Sequence, residues 1–94
     1  MSARPHEAPA PIVGRFRVRL FAAARDRTGT DAIEVELPHG ATIGSLRQAI
    51  AAAAPQLEPL LPYATIAVDG DYAADTKTLQ PGQEVALIPP VSGG

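Results

Sequence analysis

The stretch Arg15–Leu37, RFRVRLFAAARDRTGTDAIEVEL, decides the fold because it contains two alternating patterns separated by a short helical one. In its first part Phe16, Val18 and Leu20 alternate with arginines, which is typical of a strand with one buried face. Residues 33–37 repeat the pattern with glutamates at the polar positions. Because the two strands are close in sequence, we expect them to pair with each other.

The segments that follow each strand indicate where the chain turns. Ala22–Thr28 fits a short helical turn, and Gly29 fits the left-handed conformation that often ends a helix. After a Pro-His-Gly turn, Thr42 is a good N-cap for a helix over Ile43–Ala54, whose apolar residues recur at helical spacing. Pro55 ends that helix because the residue before a proline avoids helical angles.

The second half of the chain predicts three short strands. Thr65–Asp69 and Asp71–Ala73 flank an Asp-Gly pair, which is a strong hairpin signal. A last strand, Glu84–Ile88, follows a Pro-Gly turn, and Gln56–Pro62 fits a short extra turn. The predicted fold is therefore α+β, with one main helix packed on one face of a mixed four- to five-stranded sheet. The ubiquitin-like β-grasp is the natural candidate, with the first and last strands parallel in mid-sheet.

Only one face of such a sheet can be covered by the helix. Alternation assigns nine apolar residues to that face: Val18, Leu20, Ile33, Val35, Leu37, Ile66, Val68, Val85 and Leu87. The other face should be polar, but Phe21, Tyr72 and Ile88 break the pattern. An exposed apolar cluster on a small domain usually marks a docking surface. The alternative is that the segment Leu57–Leu61 covers the cluster.

Arginines at positions 15, 17 and 19 alternate along the first strand and raise the possibility of phosphate or nucleic-acid binding. The net charge of −2 argues against a nucleic-acid partner. We therefore expect a solvated strand face, with ion pairs to Glu34 and Glu36 on the second strand.

Composition excludes several further classes. The chain has 94 residues, enough for one small domain, with no cysteine and two histidines, which argues against disulfides, thiol chemistry and most zinc sites. Asp69, Asp71 and Asp75 lack the spacing of a calcium loop. No apolar run is long enough to span a membrane and no secretion signal is visible, so we expect a cytoplasmic protein. Residues 1–14, with three prolines, are expected to be a disordered arm.

The sequence ends in a tail, residues 89–94, beyond the predicted domain of residues 15–88. Prolines end the last strand and hold the chain extended, and terminal glycines have no side chains to collide with a narrow channel. Fully extended, six residues reach at most about 20 Å. The tail can therefore deliver the carboxylate of Gly94 to another protein, the alternative being a frayed end. The residues expected to thread such a channel are Pro89, Pro90, Val91, Ser92 and Gly93.

Two stretches resemble a known family. Residues 20–31, LFAAARDRTGTD, and residues 82–94, GQEVALIPPVSGG, are similar to the start and end of the small, sulfur-carrying subunits of molybdopterin synthase, the MoaD type of the MoaD/ThiS superfamily. The combination of Phe-Ala-x-x-Arg near the start with Pro-Pro-Val-Ser-Gly-Gly at the end is much more specific than a terminal Gly-Gly. The resemblance covers about residues 15–94 and leaves the arm unmatched.

The resemblance implies a ubiquitin-like β-grasp and a carrier that binds no cofactor or metal of its own and has no catalytic residues apart from its terminus. In that family an ATP-dependent, E1-like adenylating enzyme activates the terminal carboxylate, here that of Gly94, and sulfur transfer converts it to a thiocarboxylate. The large, catalytic synthase subunit, in a heterotetramer with the carrier, then uses this sulfur to convert cyclic pyranopterin monophosphate to molybdopterin in molybdenum cofactor biosynthesis. Phe21, Tyr72 and Ile88 match positions of partner contact, and Arg25 matches an arginine with a structural or interface role.

Three alternatives remain open from the sequence. One is a sulfur carrier of the same fold that serves thiamine thiazole or cysteine synthesis. Another is a ubiquitin-like modifier joined to lysines of other proteins through Gly94. The third is an interaction domain whose tail is inert.

Overall fold

The structure is a computed structural model that describes residues 13–90, with side chains described from Gly14 onward. Its elements follow the order predicted from the sequence. They are β1 (Val13–Leu20), α1 (Ala22–Thr28), β2 (Ala32–Pro38), α2 (Ile43–Ala53), two 3-10 turns (Pro55–Leu57 and Leu61–Tyr63), β3 (Thr65–Val68), β4 (Asp71–Ala73) and β5 (Val85–Ile88).

The five strands form one mixed sheet in the order β2-β1-β5-β3-β4. Strands β1 and β2 are antiparallel, whereas β1 and β5 are parallel, with Val18 opposite Val85 and Leu20 opposite Leu87. The first and last strands are therefore neighbours in mid-sheet, as predicted. Strand β1 begins at Val13, so the sheet includes two residues that the sequence analysis assigned to the arm. The rest of the predicted arm lies outside the described residues.

Helix α2 packs on one face of the sheet, and its start and end have the predicted local causes. The hydroxyl of Thr42 accepts a hydrogen bond from the backbone N–H of Ser45 at 3.3 Å, which satisfies one of the free donors at the helix N-terminus. The helix ends before Pro55, and it buries Ile43, Leu46 and Ile50 completely against the sheet.

The core contains eight of the nine apolar residues that alternation assigned to the covered face, and Ile33 is half-buried against it. Leu57 and Leu61, from the two 3-10 turns, are also buried in this core. The alternative in which the Leu57–Leu61 segment covers the outer face is therefore wrong. Two further large apolar residues lie in the core: Phe16, which is in phase with Val18 on β1, and Leu79, which lies in a loop.

Residues with positive φ angles form turns between the secondary-structure elements. Gly29 ends α1 with a φ of 75° and donates its N–H to the carbonyl of Arg25 at 2.8 Å. Asp69 and Gly70 have φ angles of 50° and 88°, as a two-residue hairpin with the right-handed twist of its strands requires. The hairpin predicted from Asp-Gly is thus confirmed.

Candidate partner-docking surface

The three residues that break the polar pattern, Phe21, Tyr72 and Ile88, line one groove on the uncovered face of the sheet. The groove has a volume of about 340 Å³, and Ala67 and Ala86, from the adjacent strands β3 and β5, line it between them. Small side chains at these positions leave a concave apolar surface between larger ones. We refer to this feature as the outer groove.

Phe21 lies at the junction of β1 and α1, where the chain turns sharply. Its carbonyl accepts hydrogen bonds from the backbone N–H groups of Ala24 at 3.0 Å and Arg25 at 3.4 Å. The next residue, Ala22, has a φ of 49°, which is unusual for a residue with a side chain and costs about 1–2 kcal/mol. This turn keeps Phe21 out of the core, with 37% of its surface exposed.

Tyr72 is presented by the β3–β4 hairpin. It is opposite Ala67 in the sheet, and 76% of its surface is exposed. The turn before it is bound to the two residues that precede β5, because the carboxylate of Asp69 accepts hydrogen bonds from the backbone N–H of Glu84 at 2.9 Å and the side-chain amide of Gln83 at 3.3 Å. The position of Tyr72 therefore depends on a polar turn at the end of a short strand.

Ile88 is the last residue of β5 and is opposite Thr65. It is half-buried, and Pro89, directly after it, is buried. The chain becomes exposed at Pro90, one residue later than the tail boundary predicted from the sequence. The remaining residues expected to thread a partner's channel, and Gly94 itself, lie outside the described residues. The chain thus leaves the sheet beside the outer groove.

Arg25 lies in a neighbouring cleft rather than in the outer groove. This cleft has a volume of about 760 Å³ and is also lined by Asp31, and it shares Arg19, Phe21 and Glu84 with the groove. Arg25 itself is exposed. Arg25 therefore does not line the outer groove with the other three predicted partner-binding residues. It lies in the neighbouring cleft, which shares Phe21 with the groove.

The arginine face of β1 has one of the expected ion pairs. A guanidinium nitrogen of Arg15 donates to the carboxylate of Glu36 at 2.9 Å, and this hydrogen bond, together with the charges of Glu36 and Glu34, raises the pKa of Arg15 above its usual value. Both side chains are more than half exposed, so the pair contributes little to stability. The expectation of a solvated strand face is confirmed for this residue.

The sequence analysis missed Arg19 as a residue of the outer groove. Its guanidinium lies 5.2 Å from the centre of the Phe21 ring, within cation–π distance, and it lines the groove with that ring. The signal was present in the sequence, since residues 19 and 21 are two apart in an extended segment and so point to the same face.

Within residues 13–90, no group of three or more acidic, histidine or cysteine side chains is placed to hold a metal ion. In the same part of the chain, no helix is long and apolar enough to cross a membrane. Most of the residues that line the outer groove are apolar, and the groove is open and adjacent to the point where the chain leaves the domain.

Comparison with known proteins connects this geometry to a family. The model of the ThiS family matches residues 18–94. The molybdopterin synthase sulfur carrier subunit of Arabidopsis thaliana is 33% identical over 84% of this chain and 82% of its own length. That of Chlamydomonas reinhardtii is 35% identical over 85% of this chain and 99% of its own.

Solved structures confirm the fold. Small archaeal modifier protein 1 from Haloferax volcanii superposes with a TM-score of 0.77 at 30% identity, covering 86% of this chain and all of its own. A chain from the complex of subunits 1 and 2 of molybdopterin-converting factor from Helicobacter pylori has the same fold at 22% identity, with a TM-score of 0.61 over 85% of this chain and 99% of its own. The chain has the ubiquitin-like β-grasp fold, belongs to the ThiS family, and is similar within it to the sulfur carrier subunits of molybdopterin synthase.

Proposed function

We propose that this chain is the sulfur carrier subunit of a molybdopterin synthase and carries sulfur as a thiocarboxylate on Gly94. The observation that supports it most strongly is the identity of 33–35% to two such subunits over at least 82% of their lengths. The end of the sequence, Pro-Pro-Val-Ser-Gly-Gly, is of the kind that this function needs.

The chemistry follows from the poor reactivity of a carboxylate. A partner enzyme joins the Gly94 carboxylate to the AMP part of ATP, releasing pyrophosphate and creating a mixed anhydride with AMP as leaving group. A sulfur nucleophile then displaces AMP, so that a C–S bond replaces the C–O bond to AMP. The thiocarboxylate is a soft nucleophile that can donate its sulfur to cyclic pyranopterin monophosphate, and hydrolysis of the resulting acyl group returns the carboxylate.

The structure supports a division of labour between domain and tail. Four residues follow Pro90, and they span at most about 14 Å when fully extended. A partner must therefore dock close to the exit of the chain in order to receive Gly94. The outer groove is apolar and beside that exit, which suits it to a partner such as the large, catalytic subunit of the synthase or an E1-like adenylating enzyme.

One solved complex of the same fold is consistent with this partner. The Helicobacter pylori structure of the same fold is described as a protein–protein complex of subunits 1 and 2 of molybdopterin-converting factor. We infer a corresponding large subunit for this chain, with two copies of each in a heterotetramer, and a cytoplasmic location where ATP and the adenylating enzyme are present.

Reconstitution tests this function. The purified full-length chain is incubated with the adenylating enzyme, ATP and a sulfur donor, and its intact mass is measured. We expect one oxygen of Gly94 to be replaced by sulfur, and this product, with the large subunit, to convert cyclic pyranopterin monophosphate to molybdopterin. A chain that is adenylated and thiocarboxylated but never supports molybdopterin formation would indicate a carrier for another pathway, such as thiamine thiazole or cysteine synthesis.

A second candidate is supported by the similarity to small archaeal modifier protein 1, which is 32% identical over 97% of its own length. In this function the activated Gly94 carboxyl would form an isopeptide bond with a lysine of another protein. Isopeptide-linked adducts of the chain in extracts of its host, identified by mass spectrometry, would favour this function, and their loss on deletion of Gly94 would show that the terminus forms the bond.

A further inference from the structure

The register of the sheet gives the three arginines of β1 different neighbours. Arg15 is directly opposite Glu36, and Arg17 is opposite Glu34. Arg19, in contrast, is opposite Ala32 on β2 and Ala86 on β5. Of the three, only Arg19 has alanine rather than glutamate as its directly opposed residue on β2.

The side chain of Arg19 also has no carboxylate partner among the described residues. The ion pairs between side chains of residues 14–90 are Arg15–Glu36 and Arg47–Asp75, both at 2.9 Å. The guanidinium of Arg19 instead lies over the ring of Phe21, 5.2 Å from its centre, at the edge of the outer groove. The guanidinium of Arg19 thus forms no ion pair with a described residue and lies beside the apolar residues of this groove, which Glu84 also lines.

A partner that covers the outer groove must remove water from this guanidinium. Burying a charge without a counter-charge is strongly unfavourable, whereas a charge that is buried together with a carboxylate can be compensated. The guanidinium has a planar array of donors that matches the two oxygens of a carboxylate. The groove therefore selects for a partner surface that is apolar and carries a carboxylate opposite Arg19.

We infer that Arg19 is a specificity-determining residue of the docking surface, which pairs with an Asp or Glu side chain of the large synthase subunit. This inference rests on the proposed function, which supplies that subunit as the partner. The cation–π contact with Phe21 holds the guanidinium over the groove, so that the apolar contact and the ion pair form together. A surface without such a carboxylate would leave Arg19 buried and unpaired and would be rejected.

The other charges around the groove disfavour a phosphate-bearing partner. Glu84 lines the groove with Arg19, and the chain has a net charge of −2. A phosphate group has more negative charge than a carboxylate and would be repelled more strongly by Glu84. An acidic side chain on an apolar protein surface is therefore the better match.

Binding of the full-length chain to the purified large subunit tests the inference. We expect Arg19→Leu to weaken binding at least about thirtyfold, because it leaves the partner's carboxylate unpaired in the interface, and Arg19→Glu to weaken it further. Arg19→Lys should retain part of the affinity. The matched control is Arg15→Leu, on the same strand and face but outside the groove, which should change affinity less than about threefold.

A charge reversal identifies the partner residue. Replacing single Asp or Glu residues of the large subunit by Arg should, at one position, restore binding of the Arg19→Glu chain while weakening binding of the unaltered chain. Binding of Arg19→Leu within threefold of the unaltered chain, with thermal unfolding unchanged, would overturn the inference alone, and so would the absence of any rescuing position. If the unaltered chain does not bind the large subunit, the proposed function is overturned as well.

Discussion

Asp69 and Glu84 are joined by two hydrogen bonds, one to the carboxylate of Asp69 from the backbone N–H of Glu84 at 2.9 Å and one from the backbone N–H of Asp69 to the carbonyl of Glu84 at 2.8 Å. The pair connects the turn of the β3–β4 hairpin to the residue just before β5. It therefore couples the position of Tyr72 to the central strand of the sheet.

Replacing Asp69 by Ala removes the carboxylate and places a residue with little tolerance for positive φ in the turn. We expect the free energy of unfolding to fall by about 1–3 kcal/mol, measured by urea denaturation. Asp69→Asn should cost less because asparagine retains an acceptor oxygen and adopts the left-handed conformation readily. Asp71→Ala, two residues later and exposed, is the control and should change stability by less than about 0.5 kcal/mol. Equal effects of the Asp69→Ala and Asp71→Ala changes would contradict this account.

Two glycine-to-alanine substitutions should have opposite signs. Gly29 has a φ of 75° with open space around its Cβ position, so Gly29→Ala should cost about 1 kcal/mol through backbone conformation alone. Gly44 lies in α2 with an added Cβ 3.5 Å from the carbonyl oxygen of Asp75, an ordinary contact. Gly44→Ala should therefore stabilise the domain by about 0.5–1 kcal/mol. Thermal unfolding measures both, and a shift of the same sign for the two variants would refute the argument.

Tyr72 and Tyr63 form a matched pair for testing the outer groove. Their exposed fractions are similar, 76% and 73%, but only Tyr72 lines the groove. We expect Tyr72→Ala to weaken binding of the large subunit by about tenfold or more, because buried aromatic residues dominate interface energies. Tyr63→Ala should leave affinity within about twofold, and calorimetry of both variants provides the comparison. If the two tyrosines contribute equally to affinity, the groove is not the docking surface.

Deletion of Gly94 should abolish thiocarboxylate formation and sulfur transfer. The domain described by residues 13–90 has its core in α2, the 3-10 turns and the sheet, so its unfolding temperature should change by less than about one degree. Intact mass and molybdopterin formation are the readouts, with thermal unfolding as the control for folding. Full activity of the shortened chain would support an interaction domain with an inert tail.

Much of the fold could be predicted because local signals agreed with one another. The Thr42 N-cap, the Gly29 helix end and the Asp-Gly hairpin each have a residue whose conformational preference determines the structure there. The parallel pairing of β1 with β5 followed from the order of elements rather than from any single residue.

The features that were not predicted depend on how segments far apart in the sequence pack against each other. Leu79 is buried although it lies in a loop, because its backbone N–H donates to the carbonyl of Ala41 at 2.9 Å and brings the loop against the core. The separation of Arg25 from the outer groove depends on the direction in which α1 leaves β1. Phe21, Tyr72 and Ile88 could be singled out from the sequence because an apolar residue on the polar face breaks the alternation. Arg19 was not singled out because an arginine on a polar face fits that alternation.

The parallel pairing of β1 with β5 also has a consequence for synthesis of the chain. Strand β5 fills the middle of the sheet, yet the ribosome produces it last of the five strands. Until it emerges, β1 and β3 each have an unpaired edge, and the two halves of the sheet cannot join. A chain interrupted before Val85 would expose those edges and would be prone to aggregation and proteolysis. The sheet can therefore be completed only when the chain has been translated through its last strand.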